Sequence, residues 1–361
     1  MQLRCLLILI LTSTISVIDL HGQKLPQNFG IEISPKYGFL IPHRATMGHL
    51  AKGHVAGGEI SAVYQSNGKK KWHHDFLFPK YGVSAYFSDL GYKDVLGTAY
   101  GLHAFITLPF IKKNGWSFSS RLGAGVSYVT KVFDQKNNPK NNAISTRLNS
   151  LVIIGAEFEK QFKQSSLALG LDMSHLSNGA VKVPNLGLNL VYVSIAYTRY
   201  FNEIEELKEP TVEENKDPSK WHYYSGLYFS SKQIYPTGGK NYGVVGLTNY
   251  IQRKFKTKCI VEAGVDASYN QSVIDDTDGE FTKRDNFQVG AYGAYVLPIH
   301  NLQLILGMGG YVLNKVNPNG MVYHRFGARF KLSERLLANI TIKSHWAKAD
   351  FFEYGLIYRW K

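Results

Sequence analysis

The chain has 361 residues, room for one large domain or two ordinary ones. Apolar residues make up 44% of it, aromatic ones 13% and charged ones only 19%, with 34 glycines. That balance speaks against a soluble helical enzyme and for many short strands with glycines and aromatic girdles. The formal charge of +14 asks for an anionic partner. Nucleic acid is a poor candidate for an exported chain, and phosphorylated lipid headgroups are the more natural one. Against this stands an equally plain reading, in which basic extracellular loops such as Gly68–His74 are simply solvated.

Residues 1–22 carry Arg4, an apolar run from Leu6 to Ile10, and then small and polar residues up to Gly22. This order reads as a secretory signal cleaved near Gly22–Gln23. Cys5 falls inside it, so the mature chain keeps Cys259 alone and forms no internal disulfide. Beyond residue 22 nothing approaches the roughly 20 apolar residues of a membrane helix. A mature chain that spans a membrane must then do so as a closed barrel, because only closure satisfies every backbone group in lipid.

From about Phe29 onward, strand-like segments alternate with glycine or polar turns. Clear period-2 stretches are Tyr100–Leu108, Leu167–Met173, Val191–Thr198 and Phe287–Leu297. In the third, Val191, Val193, Ile195 and Tyr197 face one way, and Tyr192, Ser194, Ala196 and Thr198 the other. One apolar face and one small or polar face suits a barrel wall in lipid; it also suits a soluble sandwich, and the export signal favours the membrane. At 203–220 the composition shifts: Glu203, Glu205, Glu206, Glu209, Glu213, Glu214 and Asp217 crowd together with Pro210 and Pro218, as in a solvated acidic linker.

The parts on either side, 23–202 and 221–361, resemble each other. Leu108-Pro109-Phe110 recurs as Leu297-Pro298-Ile299, and Leu122-Gly123-Ala124-Gly125 as Leu306-Gly307-Met308-Gly309. Gly155-Ala156-Glu157-Phe158-Glu159 recurs as Gly327-Ala328-Arg329-Phe330-Lys331, and Ser174-His175 as Ser344-His345. The preserved order argues for duplication. Each half holds about eight strands, enough for the smallest membrane barrel. The expected fold is all-β: two tandem eight-stranded antiparallel outer-membrane barrels, with one continuous barrel of roughly 14–16 strands as the alternative.

Chemistry concentrates in Leu167–Phe201. Alternation puts Leu167, Leu169, Leu171, Met173, His175 and Ser177 on one face, so His175 and Ser177 end the apolar side as neighbours. Residues i and i+2 of a strand lie about 7 Å apart, near enough for an imidazole to take a hydroxyl proton with modest bending. Asp172 faces the other way and is discounted as a partner. His73-His74 has no spaced third ligand, which argues for a solvated turn and against a metal site. No phosphate-cradling glycine loop precedes a helix, and no cofactor is implied.

His175-Leu176-Ser177-Asn178-Gly179, followed by Pro184-Asn185-Leu186-Gly187 and an aromatic terminal strand, resembles the active-site segment of PagL-type lipid A 3-O-deacylases. The two-part pattern as a whole is similar to acyloxyacyl hydrolases of Bacteroidetes-type bacteria. The resemblance implies an eight-stranded outer-membrane barrel with a Ser–His–Glu triad on its exterior and lipid A or lipopolysaccharide as substrate. It makes Ser177 the nucleophile and His175 the general base, with Asn178 and the Gly179 amide supporting the oxyanion. Where the family carries its glutamate this chain has Asn189, and no Asp or Glu occurs from Gly179 to Phe201. Asn189 can orient the imidazole, as asparagine does in Cys–His–Asn proteases, without stabilising an imidazolium as a carboxylate would. Two other readings stand beside the hydrolase: a non-catalytic barrel that scaffolds, adheres or binds lipopolysaccharide, and a diffusion pore. In the second half His345 shares the polar face with Asn339, Thr341 and Lys343, so no serine hydrolase site is expected there.

Overall fold

The computed structural model describes residues 26–211, 220–277, 279–316, 319–346 and 348–360. The export segment expected at 1–22 and residues 212–219 of the acidic segment lie outside the described residues.

Eight strands build the first unit: β1 (Phe29–Ile41), β2 (His54–Gln65), β3 (Lys80–Asp89), β4 (Thr98–Lys113), β5 (Trp116–Val129), β6 (Leu148–Gln161), β7 (Ser165–Ser177) and β8 (Leu188–Tyr200). Each pairs antiparallel with the next, and β8 returns to β1 in a register from Gly30↔Tyr200 to Ile41↔Asn189. The second unit repeats the plan with β9 (Trp221–Lys232), β10 (Tyr242–Lys256), β11 (Cys259–Asn270), β12 (Phe287–Ile299), β13 (Leu302–Leu313), β14 (Val322–Lys331), β15 (Leu336–His345) and β16 (Lys348–Arg359). Here β16 closes on β9 through pairs such as Tyr354↔Phe229. The two-barrel expectation is met and the single wide barrel is not. Each half uses its own last strand to cover its own first edge, which leaves no edge for the other half to extend. The sequence repeats fall on matching strands: β4 with β12, β5 with β13, β6 with β14 and β7 with β15.

Alternation decides what each wall touches. Along β1, Ile31, Ile33, Tyr37 and Phe39 are exposed on the outer wall, while Glu32, Ser34 and Lys36 are buried in the lumen. A slip of one residue would turn the carboxylate outward and the isoleucines inward, so this register is strongly specified. The other walls follow the same rule, with Leu167, Leu169 and Leu171 outward on β7 and Val193, Ile195 and Tyr197 outward on β8. An apolar exterior around a charged interior is the arrangement of a barrel solvated by lipid.

The lumen of the first barrel is filled by ion pairs. Arg121 on β5 donates to Glu32 (2.8 Å), Glu157 (3.0 Å) and Glu59 (3.0 Å). Lys36 bridges Glu59 (2.7 Å) and Asp172 (3.0 Å), and Lys80 bridges Glu32 (2.8 Å) and Glu159 (3.3 Å). Nearer the β7–β8 loop the lumen is plugged by packed side chains that include Met47, Leu50, Leu96, Ile144 and Tyr192. The second barrel has its own set. Arg325 pairs with Glu353 (2.7 Å) and Asp266 (3.1 Å), Lys343 with Asp266 (2.8 Å), and Arg329 with Glu262 (3.0 Å).

Loops sort by end. Segments 42–53, 90–97, 130–147 and 178–187 join strands at one end of the first barrel, and the short turns 114–115 and 162–164 lie at the other. The exception at the short-turn end is 66–79, which holds a helix, α1 (Lys71–Asp75). This corrects the reading of Gly68–His74 as a solvated extracellular turn. The segment sits at the end opposite Ser177, and Trp72 and His73 are buried. The cause is tertiary: Trp72, Phe76 and Leu108 pack against Ile299 of the second barrel, and the Trp72 ring stacks on His300 at 6.0 Å. Residues 203–211 also run over this end. Asn28 Nδ2 donates to the carbonyl of Glu205 (2.7 Å), Asn28 Oδ1 accepts from its amide (2.8 Å), and Lys112 pairs with Glu206.

Two predictions follow from these contacts. Arg121→Met leaves three buried carboxylates without their shared cation, a change that typically costs about 3–5 kcal/mol. Urea unfolding of the reconstituted barrel should show a loss of that size, whereas an exposed charge such as Lys136→Met should leave the midpoint in place. The second concerns His73, whose Nδ1 accepts from the Gly68 amide at 3.1 Å. Burial, with smaller contributions from the neighbouring Lys70, His74 and His300 side chains, pushes its pKa from 6.5 down to about 4. Because the folded value lies below the unfolded one, its contribution is complete above about 6.5 and declines as the pH falls toward 4. The protection factors of residues 66–79, taken against the intrinsic exchange rate at each pH, should therefore fall across that window, and His73→Gln should flatten the response.

Candidate active site

Strand parity turns His175 to the outer wall at the long-loop end of β7, where it is half-buried. The ladder places Asn189 of β8 directly opposite it. The imidazole Nδ1–H donates to Asn189 Oδ1 at 2.6 Å, which leaves the lone pair on Nε2. Asn189 in turn donates through Nδ2 to Nδ1 of His43 at 3.1 Å. His43 is exposed just beyond β1, and it reaches Asn189 because β1 closes on β8 with Ile41 paired to Asn189. Gly187 lies against the imidazole: a Cβ there would come within 2.8 Å of Cε1 and 3.4 Å of Nε2, and its φ of +77° suits glycine.

Ser177 is the last residue of β7, and its side chain is buried beneath the 178–187 loop. Its Oγ accepts from the Gly179 amide (3.1 Å) and from Asn185 Nδ2 (3.0 Å). Asn185 is fixed in turn by accepting the Asn178 amide at 3.0 Å. Among the described residues Ser177 Oγ donates to no acceptor, and no hydrogen bond joins it to His175. Asn178 points elsewhere: its Nδ2 donates to Ser145 Oγ (3.1 Å) and to the Lys182 carbonyl (2.9 Å), pinning the loop to its neighbour.

The structure thus brings His175, Asn189, Ser177 and Gly179 to one rim on the barrel exterior, and gives Asn178 a scaffold's position. Two further residues enter. Asn185 stood within the Pro184–Gly187 motif, and a loop that folds back on its own strand makes it a donor at Ser177. His43 had no local signal, since only barrel closure sets it beside Asn189. Asp172 lies in the lumen on Lys36, as its parity requires. In the second barrel His345 is likewise buried in the lumen, donating to the Val322 carbonyl at 2.9 Å, and Glu353 holds Arg325. Among the described residues no group of three His, Cys, Asp or Glu is placed to hold a metal.

Closed strands, a lipid-facing exterior and a filled, charged lumen define a membrane β-barrel protein, with a hydroxyl and an imidazole on the outside of its wall. Residues 56–198 match the model of the lipid A 3-O-deacylase (PagL) family, and residues 221–361 match that of the acyloxyacyl hydrolase C-terminal domain. The two together cover most of the chain, and it belongs to this lipid A deacylase and acyloxyacyl hydrolase family. Membership and fold together imply an outer-membrane location. Among curated proteins no sequence matches this chain.

Solved structures with some likeness include a Rhodopseudomonas blastica porin triple mutant, at 9% identity and a TM-score of 0.19, covering 92% of this chain and 100% of that one. The siderophore receptor PirA from Pseudomonas aeruginosa gives 7% and 0.23, covering 94% and 82%. The toluene transporter TodX of P. putida gives 10% and 0.18, covering 93% and 89%. Each score is far below that of a shared fold.

Asn189 supplies the only side-chain acceptor for His175 Nδ1 among the described residues, so Asn189→Ala should free the ring to rotate. The Nδ1–H resonance of His175, shielded from solvent exchange in the refolded wild type by this 2.6 Å bond, should be lost from the proton NMR spectrum of the variant.

Proposed function

We propose that this protein removes an acyl chain from lipid A at the long-loop rim of its first barrel, with Ser177 as nucleophile and His175 as general base. The observation that carries this reading is the pairing of an outward imidazole, its Nδ1 held by Asn189, with a neighbouring hydroxyl that two donors already face. In an outer-membrane barrel the long loops lie at the cell surface. The outer wall beneath them meets the fatty layer, where the ester of a lipid-anchored acyl chain is found. We take residues 1–22 as the cleaved export signal that brings the chain there.

In the proposed reaction Ser177 Oγ attacks the ester carbonyl carbon while His175 Nε2 takes its proton. Negative charge gathers on the carbonyl oxygen, and the Gly179 amide and Asn185 Nδ2 stabilise it, since both already point at the space around Oγ. The sugar hydroxyl leaves with the proton from His175. Water, activated by the same imidazole, then frees the fatty acid and restores Ser177. Neutral Asn189 orients the ring but leaves the imidazolium without a counter-charge. The equivalent Asp→Asn change in a serine protease lowers kcat about 10⁴-fold, the handicap a carboxylate-free site carries. A slow enzyme is the expectation.

That same neutral partner, with the missing His175–Ser177 hydrogen bond, favours the second reading of a barrel that binds lipopolysaccharide without cleaving it. Lipid A extracted from cells expressing the wild type or Ser177→Ala separates the two. Hydrolysis predicts mass spectra in which the wild type alone shows a species lacking one acyl chain. Identical spectra would retire the hydrolase.

A further inference from the structure

The loop that carries the proposed oxyanion donors is held from outside its own barrel. Phe352 of β16 lies on the outer wall of the second barrel, and its ring covers Gly179, where an added Cβ would come within 2.1 Å of it. Gly179 has a φ of +63°, so this residue is free of a side chain both for its backbone conformation and for the aromatic ring against it. From just beyond β9, Gln233 grips the same loop twice. Its backbone N–H donates to the Ala180 carbonyl at 2.9 Å, and its side-chain Oε1 accepts from the Val183 amide at 3.2 Å. Gln233 is buried, and its Nε2 is fixed on the Gly239 carbonyl at 3.1 Å, so it is a braced contact.

We propose that the second barrel acts as a clamp on the catalytic loop of the first, with Gln233 and Phe352 as positioning residues for Gly179 and Ser177. The inference rests on the hydrolase reading and extends it by giving the C-terminal barrel a part in that reaction. The physical reason is the loop's own construction. Residues 178–187 leave β7 directly after the proposed nucleophile, and among the described residues Ser177 Oγ is oriented only by donors from this loop. A shift of about 1 Å in those donors is enough to cost 10²-fold in rate. The first barrel restrains the loop from one side through Ser145 and the Ala143 carbonyl, and the second restrains it from the other.

The test uses the full chain refolded into lipid A-containing vesicles, with Gln233→Ala, Phe352→Ala, the conservative Phe352→Leu, and Leu356→Ala as a control on the same outer face of β16. Two readouts are taken: amide exchange of residues 178–187, and kcat and KM for deacylation. The clamp predicts faster exchange in both alanine variants, a fall of about 10–100-fold in kcat at little-changed KM, recovery in Phe352→Leu, and wild-type behaviour in Leu356→Ala. Wild-type exchange and kcat in both Gln233→Ala and Phe352→Ala would overturn it. Gln233→Ala removes the Oε1 contact to Val183, leaves the backbone donation to Ala180 in place, and alters a loop residue that closure of the barrel does not need. If the wild type leaves lipid A intact, the hydrolase reading falls by itself. Exchange still decides whether the second barrel holds the loop, with unaltered exchange overturning the clamp.

Discussion

Arg121 stands among three carboxylates in the middle of the first barrel, and the position of everything else depends on that buried charge cluster. Ions taken out of water are costly unless each is paired and hydrogen-bonded. Glu32, Glu59 and Glu157 meet this condition only when β1, β2, β5 and β6 are in register around the guanidinium. The same condition fills the lumen. With ion pairs at one level and packed aliphatic and tyrosine side chains at another, the lumen is occupied by the barrel's own side chains, and the chemistry proposed above sits on the outer wall.

The second barrel solves the same problem with different residues. Its lumen is held by Arg325 and Arg329 on β14, where the matching strand of the first barrel carries Glu157 and Glu159. Signs are exchanged between the halves while the pairing logic is kept, as expected when a duplicated lumen must stay balanced without keeping any one ion pair. The outer walls diverge in another way. Where β7 ends in His175 and Ser177 on the outside, β15 ends with His345 inside. A single parity difference separates a rim that faces the lipid from one sealed within the wall.

Joining the halves side by side gives the chain a feature that a lone barrel lacks. At one end Trp72 stacks on His300, and at the other Phe352 and Gln233 meet the 178–187 loop. Contacts at both ends fix the two cylinders against each other about their long axes. A loop on one can then be supported by a wall of the other.

Local sequence determined the strand faces, the division into two like halves, and the outward aspect of His175 and Ser177, because strand alternation has a period of two and can be read without knowing any partner. The same rule put Asp172 in the lumen and Tyr192 beside it. Asn189 could be placed near His175 through family resemblance, and the ladder between β7 and β8 sets the actual contact. Tertiary structure alone decided that His43 backs Asn189, that Asn185 turns its amide to Ser177, that α1 is buried against the second barrel, and that Phe352 covers Gly179. Those partners are separated by loops or by half the chain, and they meet only when each sheet closes on itself and the two barrels settle together. Closure is a property of eight strands at once in each barrel, and no window of sequence contains it.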